Sequence, residues 1–204
     1  VSTKTNRINN SIYYEEMNME FKQLWPTTIG SGKFEVDGLV EHIFTNYNLS
    51  DLTGEVDGGN IFKDNSDVMN KFKALVHNKF NDYLKNSIDK SIEDFKSFEM
   101  KAWITGHSKD YSMTIHNHSG AHLSGVFYIL AEDQNSGGDI VFSDPRSNAN
   151  RGYDDWFNPL FDRHGITPKT GDFMIFPSFT YHHVNPYYSS LRICVPVDLY
   201  LYRG

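Results

Sequence analysis

The chain has 204 residues, 39% of them hydrophobic and 15% aromatic, which is material for one well-cored domain. A formal charge of −7 argues against nucleic acid or anionic membrane as general partners, because either needs a basic surface to displace counterions. The single cysteine, Cys194, excludes an internal disulfide, suits a reducing compartment and, in an apolar run, reads as a buried small residue.

Residues 1–18 are polar and Asn-rich without a period, and read as a flexible N-terminal arm. The opening lacks the apolar core of a signal peptide, and no run of about 18 apolar residues follows. The expectation is a cytoplasmic, soluble protein without a membrane partner; a start at Val1 is also compatible with a removed leader. Residues 19–204 read as a single domain, with a helical part at 19–97 and a β core at 98–204. "FKQLWPTTIG" predicts an extended piece packed on the body, since the residue before Pro26 avoids helical angles. "EVDGLVEHIFTNYN" predicts a short helix. From Ser66 to about Ser87, Val68, Phe72, Leu75, Val76, Phe80, Tyr83 and Leu84 fall three and four apart, the stripe of an amphipathic helix capped by Asn65 or Ser66.

From Phe98 the texture becomes short, alternating β-branched and aromatic runs. The predicted strands are "FEMKAWIT", "YSMTIHNH", "HLSGVFYIL", "GDIVFS", "GDFMIFP" and "LRICVPVDLYLY", with "HHVNP" between the last two. Strands at this pace make a mainly β barrel or jelly roll with flanking helices. The insertion near 147–166 is long for a loop and predicts a helical turn, a lid or a self-association surface; the oligomeric state is not legible.

His116 and His118 stand two apart on a predicted strand, so they share a face roughly 6.5–7 Å apart and can reach one metal ion. A third imidazole from "TYHHVNP" would close a facial triad. The bland alternative is a set of satisfied core histidines. Arg192, inside "LRICV", is costly to bury without an anion, which is either an internal acid or the carboxylate of a small ligand. In "SDPR", Asp144 and Arg146 either border a substrate mouth or make a turn; Trp103 and Trp156 either wall a pocket or fill the core.

Taken in order, the histidine strand, "LSGVFYIL", "GGDIVFSDPR", "GDFMIFPSFTYHHVNP" and the Arg on the last strand resemble the 2-oxoglutarate and Fe(II)-dependent oxygenases. More narrowly they are similar to the branch with HxH, SGVYY, DPR, FPS and HxVxP segments; "LWPTTI" is similar to its opening. The resemblance covers about Lys101 to Leu199. It implies a double-stranded β-helix (jelly roll, cupin-like) core, Fe(II), 2-oxoglutarate and O₂, and an oxidoreductase that hydroxylates a substrate while 2-oxoglutarate becomes succinate. It assigns His116 and His182 as metal ligands, with His183 on the opposite face. It places Arg192, Tyr128 and Ser124 on the co-substrate.

At His118 most of the superfamily has Asp or Glu. An imidazole there leaves the site one negative charge short, unless His118 stands behind the ligands and Asp139 or Asp144 enters. Two other classes stay open: a three-His Zn or Fe enzyme that does not use 2-oxoglutarate, and a non-catalytic cupin-like binding protein. The substrate reads as a peptide or small molecule sooner than nucleic acid, since nucleic-acid demethylases of this kind place a second arginine where this chain has Asp198.

Overall fold

The computed structural model describes residues 26–49, 55–57, 59–131, 136–145 and 163–204. The expected N-terminal arm, Arg146, Trp156 and most of the insertion lie outside the described residues. Within them the chain runs β1 (Gly30–Lys33), α1 (Leu39–Asn46), β2 (Glu55–Asp57), α2 (Asp67–Ile88), β3 (Ser97–Ala102), β4 (Ile104–Ser108), β5 (Met113–His116) and β6 (Leu123–Leu130). It continues through β7 (Ile140–Ser143), β8 (Arg163–Ile166), β9 (Asp172–Pro177), β10 (His182–Val184) and β11 (Leu191–Tyr202).

The strands form two antiparallel sheets. The larger is ordered β1-β9-β6-β11-β4-β2, with β3 also on β11; the smaller is β5-β10-β7-β8. This is the expected mainly β core with flanking helices. "FEMKAWIT" divides into β3 and β4 at Trp103. Both pair with β11, and the break falls opposite Pro196, whose carbonyl accepts from Trp103 N but which has no N–H to return. β1, β2 and β8 were not anticipated; each is only three or four residues long, too short to alternate legibly.

Strand parity sorts the core into two layers. From β11, Ile193, Val195, Val197, Leu199 and Leu201 join Phe127 and Ile129 of β6 against the buried stripe of α2, which comprises Met69, Phe72, Val76, Phe80 and Leu84. Burying each such side chain stabilises the layer by about 1.5–3 kcal/mol. Phe72 meets Phe127 edge-on at 5.6 Å. Ser66 caps α2 by accepting from Met69 N at 3.3 Å. The opposite face of the large sheet supplies Val126, Tyr128, Met174, Phe176 and Cys194, which pack on Ile140 and Phe142 of the small sheet. Between these sheets lies a cavity of about 340 Å³. No helix among the described residues is long and apolar enough to cross a membrane.

Candidate metal centre and cavity

His116 and His182 face each other across the β5–β10 ladder, with ring centroids 4.3 Å apart. His118 is not on the strand, as the alternation had suggested. β5 ends at His116, and His118 leaves its ladder to donate its backbone N–H to Ser178 O at 3.0 Å, which swings its ring between the two sheets. It lies parallel to His182 at 5.4 Å. His116, His118 and His182 each offer one ring nitrogen, and these three atoms lie within 4.8 Å of one another. His183 is not in the group.

Each ring has its Nδ1 on an acceptor. His116 Nδ1 meets Thr114 O at 2.8 Å and His182 Nδ1 meets Thr180 O at 3.0 Å. A carbonyl can only accept, so both Nδ1 atoms carry the proton and both Nε2 lone pairs are free. His118 Nδ1 instead meets Asp198 Oδ1 at 2.9 Å. Burial drives the His182 imidazole down to about 4 and lowers that of His116, which keeps both rings neutral at pH 7 and able to ligate. Three imidazole nitrogens this close together suit a divalent ion such as Fe(II) or Zn(II).

β11 gives the cavity its polarity. Arg192, Cys194, Pro196 and Asp198 share its inner face, so a cation and a carboxylate stand six residues apart, about 20 Å along the strand. Arg192 is 1% exposed. Its Nη1 donates to Gly138 O and its Nη2 to Nδ1 of His107, the residue opposite it on β4. The guanidinium also stands 5.8 Å from the Tyr128 ring and 5.2 Å from that of Tyr187. Among the described residues no Asp or Glu lies within ion-pairing distance of it, and its Nε has no partner.

Because Arg192 only donates, His107 Nδ1 must accept, and its proton sits on Nε2. That N–H is also buried and without a partner among the described residues. Burial, then the neighbouring guanidinium, lowers the His107 imidazole to about 3, so it is neutral. Both residues line the cavity, and each keeps one buried donor without a partner among the described residues. The remaining lining includes Trp103, Met113, Val126, Ile140, Phe176 and Val184, and is apolar apart from Thr105.

The structure separates Tyr128 from Ser124, which were both expected on the co-substrate. They share the inner face of β6, but Tyr128 pairs with Cys194 near Arg192, whereas Ser124 pairs with Asp198 at the imidazole end. The Ser124 hydroxyl donates to Asp198 Oδ1 at 2.7 Å and contacts Ser178 Oγ at 2.8 Å, and Ser124 does not line the cavity. Trp103 does line it, 5.9 Å from the His118 ring. Asp144 is part-buried outside the lining, and Arg146 lies outside the described residues. Asp139, weighed as a ligand, is held by Thr167 Oγ1 at 2.6 Å, away from the histidine group. Cys194 is buried, and burial pushes its thiol up, away from nucleophilic chemistry.

Sequence reasoning missed His107 altogether and gave Asp198 no role at the site. Asp198 was within reach: an even spacing from Arg192 puts the two on one strand face. His107 carried no such signal, since its partner is 85 residues away.

Residues 101–198 match the model of a family described as "Putative 2OG-Fe(II) oxygenase". No curated protein matches the chain. Among solved structures, HygX from Streptomyces hygroscopicus with nickel and 2-oxoglutarate bound is similar at TM-score 0.58 and 9% identity, over 86% of this chain and 82% of that one. A Pseudomonas putida prolyl-4-hydroxylase gives 0.55 and 14%, over 86% and 88%. The viral collagen prolyl hydroxylase of Paramecium bursaria Chlorella virus-1, in its 2OG complex, gives 0.54 and 15%, over 84% and 94%. The chain spans 59% of an oxygenase-family oxidoreductase from Burkholderia pseudomallei. The structural likenesses are of fold: two facing antiparallel sheets with helices on one side. The family match covers the segment that carries the three imidazoles and the buried arginine, and that segment is similar to the 2OG-Fe(II) oxygenases.

Proposed function

We propose that the protein is a mononuclear Fe(II)- and 2-oxoglutarate-dependent dioxygenase that hydroxylates an apolar carbon of a peptide or small molecule. The observation that carries this reading is the buried Arg192 guanidinium in the lining of the cavity, which has no acid beside it among the described residues and keeps one N–H unmet. A carboxylate entering the cavity beside Arg192 would supply the missing negative charge and accept from the guanidinium.

In this reading His116, His118 and His182 hold Fe(II), Arg192 and His107 bind the distal carboxylate of 2-oxoglutarate, and the Tyr128 ring walls the co-substrate in. With iron bound, the site supplies an oxidation in which 2-oxoglutarate loses CO₂ to become succinate, one oxygen atom of O₂ entering succinate and the other the substrate as hydroxyl. The chain's own contribution is placement. The Nδ1 contacts lock the imidazole tautomers, and the apolar walls exclude water and favour an uncharged group beside the metal. The net charge of −7 and Asp198 in place of a second arginine favour peptide or small-molecule substrates over nucleic acid.

The test is succinate release with and without Fe(II), repeated with Arg192→Ala and His182→Ala. Wild type releases succinate only with Fe(II), and each variant loses that release. Unchanged release from both variants would remove the residue assignments.

A further inference from the structure

We propose that Asp198 is the carboxylate of this metal site, acting from behind His118: it accepts a hydrogen bond from Nδ1–H and, through the ring, makes the other nitrogen a stronger donor to the metal. The inference rests on the reading that the three imidazoles hold a divalent cation. It concerns how a site of three imidazoles, with no carboxylate among them, binds such an ion.

Three observations carry it. First, the rings are not equivalent. His116 and His182 donate Nδ1–H to the backbone carbonyl two residues earlier, whereas His118 alone meets a carboxylate, at 2.9 Å. An imidazole hydrogen-bonded to a carboxylate is a stronger electron donor at its other nitrogen.

Second, the pair is built in. The His118 and Asp198 side chains are 13% and 10% exposed. The Ser124 hydroxyl donates to the same Oδ1 at 2.7 Å, Ser178 Oγ lies 2.8 Å from that hydroxyl, and Ser178 O takes the His118 backbone N–H at 3.0 Å. Ring and carboxylate are thus fixed by one hydrogen-bonded loop spanning β6, β11 and the turn after β9.

Third, the one ion-pair partner of Asp198 among the described residues is His118 itself. Among the described residues no Lys or Arg lies within ion-pairing distance; Lys101, opposite it in the β3–β11 register, reaches over the Tyr200 ring and toward Glu99. A buried carboxylate without a counter-charge is unfavourable, and a metal ion one imidazole away supplies that charge. Asp198 is a positioning and charge-tuning residue in this scheme, since it does not touch the metal.

The experiment titrates the full apo chain anaerobically with Co(II), following heat and the visible ligand-field bands, for wild type, Asp198→Asn, Asp198→Glu and His182→Ala. Asparagine keeps an oxygen for His118 Nδ1 and removes only the charge; thermal melts of the apo variants establish that each is folded. Expected are one Co(II) per wild-type chain, about 10–100-fold weaker binding with shifted bands in Asp198→Asn, and recovery of much of the affinity in Asp198→Glu. Asp198→Asn binding Co(II) as tightly as wild type, with unshifted bands, overturns the inference while leaving the metal site standing. If wild type binds no more Co(II) than His182→Ala, the three-imidazole reading fails and takes the inference with it.

Discussion

The two ends of the cavity are built on opposite principles. At the imidazole end, each Nδ1 already has an acceptor and the carboxylate behind His118 is held by a serine. At the other end, Arg192 and His107 bond to each other and to Gly138 O, yet an N–H on each is buried and unmet. Orphaned donors of this kind are rare in folded proteins, and each costs about 1–3 kcal/mol. In the proposed reading, one end is completed by a metal and the other by an anion. The difference separates a rigid centre from a recognition site, and β11 sets their distance by carrying Arg192 and Asp198 on one face.

The largest effect is expected at the finished end. His182→Ala removes the most deeply buried of the three imidazoles and should lower Fe(II) or Co(II) affinity by at least about 100-fold, with succinate release falling to background. Anaerobic calorimetry checks it. Retained affinity would mean that other groups hold the metal.

Arg192→Met comes next and sharpens the contrast. It should weaken 2-oxoglutarate binding to the metal-loaded protein by about 100-fold, the loss of a charge-assisted pair worth roughly 2–3 kcal/mol, while metal affinity changes little. Stability is the second readout. Breaking a buried ion pair costs about 3–5 kcal/mol, but this guanidinium has no acid partner among the described residues, so urea unfolding of the apo variant should register less than that. A larger loss would reveal an internal acid and erase the difference between the ends.

Acid should act on both ends together. His182 and His107 titrate near 4 and 3 in the fold, mainly through burial, against an ordinary 6.5. Between about pH 6.5 and 4 the unfolded chain therefore binds protons that the folded chain excludes. Stability is complete above that window and declines as pH drops through it, by on the order of several kcal/mol for the pair. Apo-protein unfolding midpoints at pH 7.5, 6 and 5 check the sign; a midpoint that rises on acidification would contradict the neutral assignment.

How legible was this in the chain? The sheet core was, because β6, β9 and β11 are long enough to alternate, and α2 carries seven apolar residues at helical spacing. Arg192 stands out as a charge in an apolar run, and the three histidines through the spacing of His116 and His118 and the resemblance that adds His182. Which end of the cavity each polar residue serves was not legible, since that depends on inter-strand register. Ser124 and Tyr128 have the same parity on one strand, and only the pairing of β6 with β11 puts one beside Asp198 and the other beside Arg192. His118 looked like a continuation of its strand because alternation does not say where a ladder stops.

His107→Phe should have a smaller effect than losing the guanidinium. It removes one neutral donor and the acceptor for Arg192 Nη2 while preserving bulk, so half-saturation by 2-oxoglutarate should rise about 10-fold, in line with the roughly 1–1.5 kcal/mol of a single hydrogen bond. Metal affinity should stay within about twofold of wild type.

Ser124→Ala tests the register argument with the smallest signal. If Ser124 contacted the co-substrate, its loss would raise the 2-oxoglutarate requirement as His107→Phe does. Its hydroxyl instead donates to Asp198 and lies four residues from Tyr128, about 13 Å along β6. The variant should therefore leave 2-oxoglutarate binding unchanged and weaken Co(II) binding by only about threefold, because Asp198 keeps its charge and its contact with His118. Titrating both ligands on one preparation separates the alternatives: a change confined to 2-oxoglutarate would move Ser124 back to the arginine end, against the pairing of Ser124 with Asp198.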